Sequence, residues 1–333
     1  MTDEDKILIT GSNGQLGQCF RAIRGDDKRY IFTTRKDFDI GDYEKMSEFL
    51  NKNPDVKVII NCAGYTDVKG AETDEGYKKA LSANVESVGN LSTICAKKDI
   101  FLVHFGTDYM FPYFENRNTP IEEDEYIVGD YSETPNKYGL SKLRGVDLLI
   151  NTFSQKKNYV VIVISWLFSP FGNNFVTNLY KKINREKDTD TEFKYVCNQV
   201  GSPTYGIDLA NFVSNVIEKK DCKFVDENDK DSNLINYSCY GVASWYDIAK
   251  CVESNTEWVG VMPMYSNYDK IKRPNYSVLS LKKLINKFGK DYTITRYWED
   301  AIVHCLTYIR YIELGEWWYN DKILKNTLKK EED

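Results

Sequence analysis

Lys6-Ile7-Leu8-Ile9-Thr10-Gly11-Ser12-Asn13-Gly14-Gln15-Leu16-Gly17 is the stretch that decides the fold. It opens as a short apolar strand and runs into glycines spaced G-x-x-G-x-x-G, after which residues 18–24 read as a helix. Strand, glycine turn and helix together suit a pyrophosphate. Glycines let backbone N–H groups come close, and a helix N-terminus favours negative charge. Gly11, Asn13, Gly14, Gln15, Leu16 and Gly17 are therefore the first cofactor-binding candidates. A plain tight turn has the same composition; what favours the dinucleotide reading is the position straight after a first strand.

Working outward, residues 30–34, 57–61, 100–105 and 159–166 read as further strands, and residues 80–97 have helical period. Several of these runs are apolar throughout, as in a sheet buried on both faces. Strands alternating with helices predict an α/β chain with a doubly wound, Rossmann-like parallel sheet. The second strand ends in Arg35-Lys36, not in the Asp or Glu that would hold the ribose of NAD. A basic residue there can accept the 2′-phosphate of NADP, so NADPH is the expected cofactor, with NADH left open. Asp39 and Ile40 are placed to flank an adenine, and the small residues Cys62 and Ala63 suit a close approach.

The fourth strand delivers Thr107-Asp108 at its C-terminal end, where open α/β sheets bind ligands. A helix then carries Tyr138 and Lys142 a turn apart on one face, off the stripe formed by Leu143, Val146, Leu149, Ile150 and Phe153. A free phenol titrates near ~10. An ammonium roughly 4 Å away favours the phenolate by about 4 kcal/mol at an effective dielectric near ~20. That would lower the phenol's pKa by up to ~3 and make it a usable proton donor to a carbonyl. A Tyr-x-x-x-Lys is also the spacing of an ordinary surface pair, so the weight lies in the company it keeps.

Beyond Ser169 the pattern turns irregular, through Asn173-Asn174-Phe175, Gly201-Ser202-Pro203-Thr204 and Arg273-Pro274. This predicts a smaller, loop-rich C-terminal lobe that binds substrate. The expected division is a cofactor domain over 1–168, with part of 205–240 returning to it. The lobe would take 169–204 and 241–310, and 311–333 would form an extension. The run 226–233 reads as an exposed charged insertion, and Trp317-Trp318-Tyr319 as an aromatic cluster of undecided role.

The 333 residues carry a net charge of -6, against a nucleic-acid or anionic-membrane surface. No apolar run approaches the ~20 residues that span a bilayer, and the acidic N-terminus lacks a secretory signal. Eight cysteines are scattered without CxxC spacing, as reduced thiols of a cytoplasmic protein would be. His104 and His304 stand alone in apolar segments, so no metal site is expected.

With these motifs assembled, the chain resembles the extended short-chain dehydrogenase/reductases, and among them the dTDP-4-dehydrorhamnose reductase family, over about residues 6–306. The motifs are Gly11 to Gly17, Asn61 to Glu72, Thr107-Asp108-Tyr109 with Phe111, Tyr138 to Lys142, Ser165-Trp166, Asn173-Asn174-Phe175, Gly201 to Thr204 and Arg273-Pro274. The resemblance implies a catalytic trio of Thr107, Tyr138 and Lys142. Tyr138 would protonate the C4 oxygen of a nucleotide-linked 4-keto-6-deoxyhexose, Thr107 would polarise that carbonyl, and Lys142 would hold the nicotinamide ribose. Asp108, Trp166, Asn174 and Arg273 would contact the sugar or its diphosphate.

There are departures. Cys19 stands where bacterial relatives carry a glutamate for magnesium at a dimer interface, so a magnesium-linked dimer is not expected, although a homodimer stays open. Lys69-Gly70, Gly106, Val146 and Val163 also differ from the family pattern. Three readings compete. They are a reductase of rhamnose biosynthesis, a 3,5-epimerase/4-reductase of a UDP-4-keto sugar, and a non-catalytic NADP-binding subunit like the methionine adenosyltransferase β subunit.

Overall fold

Alternate residues of each central strand point to opposite faces of the sheet, and both faces are covered. In the computed structural model β1 (Lys6–Thr10), β2 (Tyr30–Phe32), β3 (Val56–Asn61), β4 (Phe101–Thr107) and β5 (Tyr159–Ile164) are joined by an edge strand, Leu234–Asn236. The structure describes residues 4–113, 116–126, 128–131, 134–153, 158–186, 191–219, 224, 233–266, 271–289 and 295–315. From one edge the strand order is Leu234–Asn236, β5, β4, β3, β1, β2, and every pair is parallel. The predicted doubly wound α/β sheet is therefore present. The order reverses at β1, so a crevice opens between the carboxyl ends of β1 and β3.

Leu8, Ile59, Leu102, Val161 and Val163 meet α2 (Tyr43–Lys52), α4 (Ser87–Lys98) and α5 (Lys137–Phe153) in one core. Ile7, Ile9, Val58, Ile60, Val103, Phe105, Val160 and Ile162 meet α1 (Gln15–Arg24) and α7 (Gly206–Glu218) on the other face. That second core continues without a break into α6 (Phe175–Glu186), α8 (Trp245–Ser254), α9 (Lys282–Phe288) and α10 (Trp298–Glu313). At about 25 cal/mol per Å² of apolar surface, these two cores supply the main drive for folding.

The structure departs from two expectations. The helix expected over 80–97 is α3 (Asp74–Leu81), a π turn at Ser82–Glu86 and then α4. The π turn is tied to distant parts of the chain through Asn84. Asn84 accepts from the Tyr65 N–H (2.9 Å) and donates to the Tyr65 carbonyl (3.1 Å) and to Ser141 Oγ (2.9 Å). Gly145 lets α5 press against it, since a Cβ there would lie 1.8 Å from the Asn84 carbonyl oxygen. Likewise, the region beyond Ser169 holds the five helices α6 to α10 joined by strands of two to four residues, rather than mainly loops. Cys222, the charged run 226–232 and Trp317-Trp318-Tyr319 lie outside the described residues. Among the described residues, no helix is long and apolar enough to cross a membrane.

Candidate active site

Two adjoining cavities meet at the glycine turn. One, of about 550 Å³, lies over the ends of β1 and β2 and is lined by Thr34, Arg35, Asp39, Ile40 and Lys79. The other, of about 450 Å³, lies over β4 and β5 and holds Thr107, Asp108, Tyr138, Lys142, Trp166, Asn174 and Arg273. Gly14, Cys62, Ala63, Gly64 and Tyr65 border both. Gly11 turns at φ +62, and a side chain on it would strike the Ala63 backbone at 2.7 Å. A Cβ on Gly17 would lie 2.4 Å from the Gly11 carbonyl oxygen. Gly14 caps α1, and Gly14, Gln15 and Leu16 line the second cavity, so the helix N-terminus borders it. This is an anion cradle between two compartments, which fits a dinucleotide.

Beneath the floor, the ends of β1 and β3 are tied to the middle of β4. Thr10 Oγ1 donates to Asn61 Oδ1 (2.7 Å), and Asn61 Nδ2 lies 3.1 Å from His104 Nδ1. Because Asn61 Oδ1 is already an acceptor, its amide is the donor and His104 Nδ1 accepts. Burial first, and the nearby Lys142 second, hold His104 well below its ordinary value, so the ring is neutral. His104 is thus a structural member of the floor.

Asn136 starts α5 by accepting from the Gly139 N–H (2.9 Å), just after Pro135. This points Tyr138 and Lys142 into the cavity beside Thr107, and all three side chains are buried. The electrostatics differ from the expectation of an acidified phenol. Lys142 Nζ donates to the Phe105 carbonyl (2.7 Å), and burial lowers its pKa to about 8. Tyr138 is held above the usual phenol value by burial and then by Asp108, against the pull of the Thr107 hydroxyl. Counting the lysine's charge alone omitted the larger effect: a dry cleft penalises phenolate and ammonium alike. Tyr138 therefore keeps its proton at neutral pH. Asp108 Oδ1 accepts from Thr107 (2.9 Å), and burial lifts this carboxyl to about 6, opposed by Ser277 and Thr107.

Most of the remaining predicted residues border the cavities, but not all do so with free side chains. Asn174 donates to the carbonyls of Ser169 (2.9 Å) and Phe171 (3.2 Å) and accepts from the Thr177 N–H (3.1 Å), so its amide is spent shaping the start of α6. Arg35 is 84 % exposed and lies 3.8 Å from Asp39. Asn13 and Gly17 line neither cavity: Asn13 is exposed, and Gly17 packs under the turn. Cys19 is buried inside α1, where desolvation pushes its thiol up to about 12.

Sequence reading missed Trp245, Ile248, Tyr65 and Lys79, all of which line a cavity. Trp245 stacks flat on Trp166, with centroids 3.9 Å apart and planes 12° apart. A Trp at the first turn of an amphipathic helix carries no signal beyond core packing.

The family model described as the RmlD substrate binding domain matches residues 5–311. A dTDP-4-dehydrorhamnose reductase of Aggregatibacter actinomycetemcomitans is 30% identical over 301 residues, covering 85% of this chain and 93% of that protein. Among solved structures, a dTDP-4-dehydrorhamnose reductase of Clostridium acetobutylicum superposes with a TM-score of 0.76 at 31% identity, covering 92% of this chain and 99% of that one. One from Bacillus anthracis, in complex with NADP, has a TM-score of 0.75 at 25% identity and covers 91% and 99%.

Proposed function

We propose, from the premise that this chain belongs to the RmlD substrate binding domain family of oxidoreductases, that it reduces the C4 carbonyl of a nucleotide-linked 4-keto-6-deoxyhexose with NADPH. The substrate it fits best is dTDP-4-dehydro-L-rhamnose. What carries the reading is the convergence of Thr107, Tyr138 and Lys142 on one cavity with the N-terminus of α1.

The turn at Gly11 to Gly14 would hold the pyrophosphate. Arg35 would take the 2′-phosphate, and Asp39 and Ile40 would bound the adenine side. NADPH, when bound, supplies the hydride. The protein's part is the proton and the placement. Tyr138 stays protonated in its buried setting, which is the state a donor to the C4 oxygen needs, and Thr107 can hydrogen-bond the same oxygen. Lys142, tied to the Phe105 carbonyl, holds positive charge beside the oxyanion as it forms. Asp108 would accept from sugar hydroxyls, and Arg273 would pair with the diphosphate. The chain would divide near residue 168 into cofactor and substrate parts.

Oxidation of NADPH on mixing with dTDP-4-keto-L-rhamnose, or its UDP form, is the expected result. Tyr138→Phe should lower kcat by ~10²–10⁴ while leaving NADPH binding intact. Full turnover by that variant would sink the assignment. Rhamnose product from the un-epimerised 4-keto-6-deoxyglucose nucleotide would add an epimerase step. The intact trio favours catalysis over a purely regulatory role.

A further inference from the structure

The start of α5 and the segment that carries Arg273 lie far apart in the chain and meet through one side chain. Asn136 is buried, and both ends of its amide are used. Its Oδ1 accepts from the Gly139 N–H (2.9 Å), which caps α5, and its Nδ2 donates to the Lys272 carbonyl (3.1 Å). The two partners fix which end is which, since an N–H requires an oxygen and a carbonyl requires a donor. Asn136 stands two residues before Tyr138, and Lys272 one residue before Arg273. Tyr138 and Arg273 line the same cavity.

Capping alone would require only the oxygen, and Ser or Asp caps a helix as well as Asn does. The nitrogen does something further: it reaches a backbone carbonyl 136 positions away. Residues 272–275 form neither helix nor strand. Pro274 disfavours helical backbone at Arg273 and has no N–H to donate. The segment is therefore held from outside, on both sides of the arginine. Before it, the Lys272 carbonyl takes the Asn136 bond. After it, the Asn275 carbonyl accepts from the Val200 N–H (2.9 Å), where Tyr276–Ser277 begins to pair with Val200–Gly201. Lys272 Nζ also lies over the Tyr113 ring at 4.0 Å, but a long side chain constrains its backbone less than a bond to the carbonyl does.

We infer that Asn136 is a positioning residue that holds Arg273 at a fixed reach from Tyr138, so that the arginine meets the diphosphate of a substrate whose carbonyl lies at the phenol. The inference rests on the function proposed above and deepens it. Arginine grips a diphosphate through paired hydrogen bonds, which depend on direction as well as distance. That direction is set by the backbone from which the long side chain starts. A displacement of about 1 Å, even far from the reacting atoms, is enough to slow a reaction that depends on orientation. One amide thus ties the cation for the diphosphate to the helix that carries the proton donor.

Asn136→Ser and Asn136→Asp test it, because each keeps an acceptor for the cap and loses the donor to Lys272, and Ser adds no charge. With dTDP-4-keto-L-rhamnose as substrate, both should lower kcat/KM about tenfold and weaken competitive inhibition by dTDP by a similar factor. The KM for NADPH should not move. In an Arg273→Ala background, Asn136→Ser should change kcat/KM by less than about twofold, since a residue that acts through the arginine has nothing left to position. An undiminished loss in that background overturns the inference, because Asn136 would then act on α5 alone. A loss confined to Asn136→Asp overturns it too, as simple repulsion of the diphosphate. If the wild type turns over neither nucleotide form, the function reading has failed, and calorimetry with dTDP and UDP still decides this one. Weaker binding by Asn136→Ser that disappears in the Arg273→Ala background upholds it. Equal affinities in wild type and Asn136→Ser, or no binding of either nucleotide, overturn it.

Discussion

The two cavities that meet at Gly14 are built in opposite ways. The one beneath Arg35 draws on a single stretch of chain, from Thr10 to Ser87, and its walls are strand ends and the turns after them. The one around Tyr138 is assembled from Gly14 at one extreme to Arg273 at the other, and its outer wall is made by α6 and α8. The first is held by backbone, through glycines that permit contacts no side chain could share. The second is held by side chains: the bonds around Asn174, and the stacked indoles. A backbone-built compartment should fail abruptly under one added methyl group. A side-chain-built one should respond in steps, each limited to the group removed.

Gly17→Val tests the backbone side hardest. Even a Cβ at position 17 would lie 2.4 Å from the Gly11 carbonyl oxygen and 2.6 Å from Ser12 Cα, and neither is a flexible tip that can yield. Chemical denaturation should show a loss of more than about 3 kcal/mol. Titration with NADPH should show affinity down on the order of 100-fold. If both survive, the turn yields to a side chain, and the contrast between the cavities disappears.

That contrast also explains what could be read in advance. The five strands from β1 to β5 were legible to within a residue or two because a sheet covered on both faces requires uninterrupted apolar runs, such as Val58-Ile59-Ile60 and Val160-Val161-Ile162-Val163, whereas the three-residue edge strand Leu234–Asn236 is too short to show such a run. Thr107, Tyr138 and Lys142 were legible because each falls at a strand end or on a helix whose face follows from spacing. Trp245 was not, since nothing local links it to Trp166, 79 positions earlier in the chain. Nor was the π turn at Asn84, which depends on a bond to Ser141 across the helix interface. The direction of the Tyr138 shift was misjudged for a related reason: a sequence displays charges but not how dry their surroundings are.

Asp108 is where the second cavity should show its graded response. Its folded pKa is about 6 against an ordinary 3.8, so the folded protein binds this proton more tightly than the unfolded chain does. Stability therefore falls as pH rises from about 4 to about 6, and the cost, up to about 3 kcal/mol, persists above that window. Asp108→Asn, which cannot ionise, should be more stable than the wild type by about 2 kcal/mol at pH 7 to 8 and little different near pH 4. Melting curves of the two proteins across that range report the difference, in which the slopes from other carboxylates cancel. A variant less stable at every pH would mean that the carboxylate is well solvated after all. The same substitution should weaken sugar-nucleotide binding, as expected where a group kept for function strains the fold.

Arg35 carries the smallest expected effect, and it sharpens the comparison from the other side. Its guanidinium is 84 % exposed and 3.8 Å from Asp39, a surface pair that ranks near the bottom of the energetic scale. A 2′-phosphate arriving there would compete with Asp39 for the same cation, in water and under salt screening. Arg35→Ala should therefore raise the KM for NADPH by only about threefold to tenfold, less at higher ionic strength, and leave the KM for NADH unchanged. Lys79 lines the same cavity and keeps some positive charge there after the change. A loss on the order of 100-fold would show that Arg35 folds inward when the phosphate binds, making this rim side-chain-built too. No loss at all would move the choice between the two nicotinamide cofactors away from Arg35.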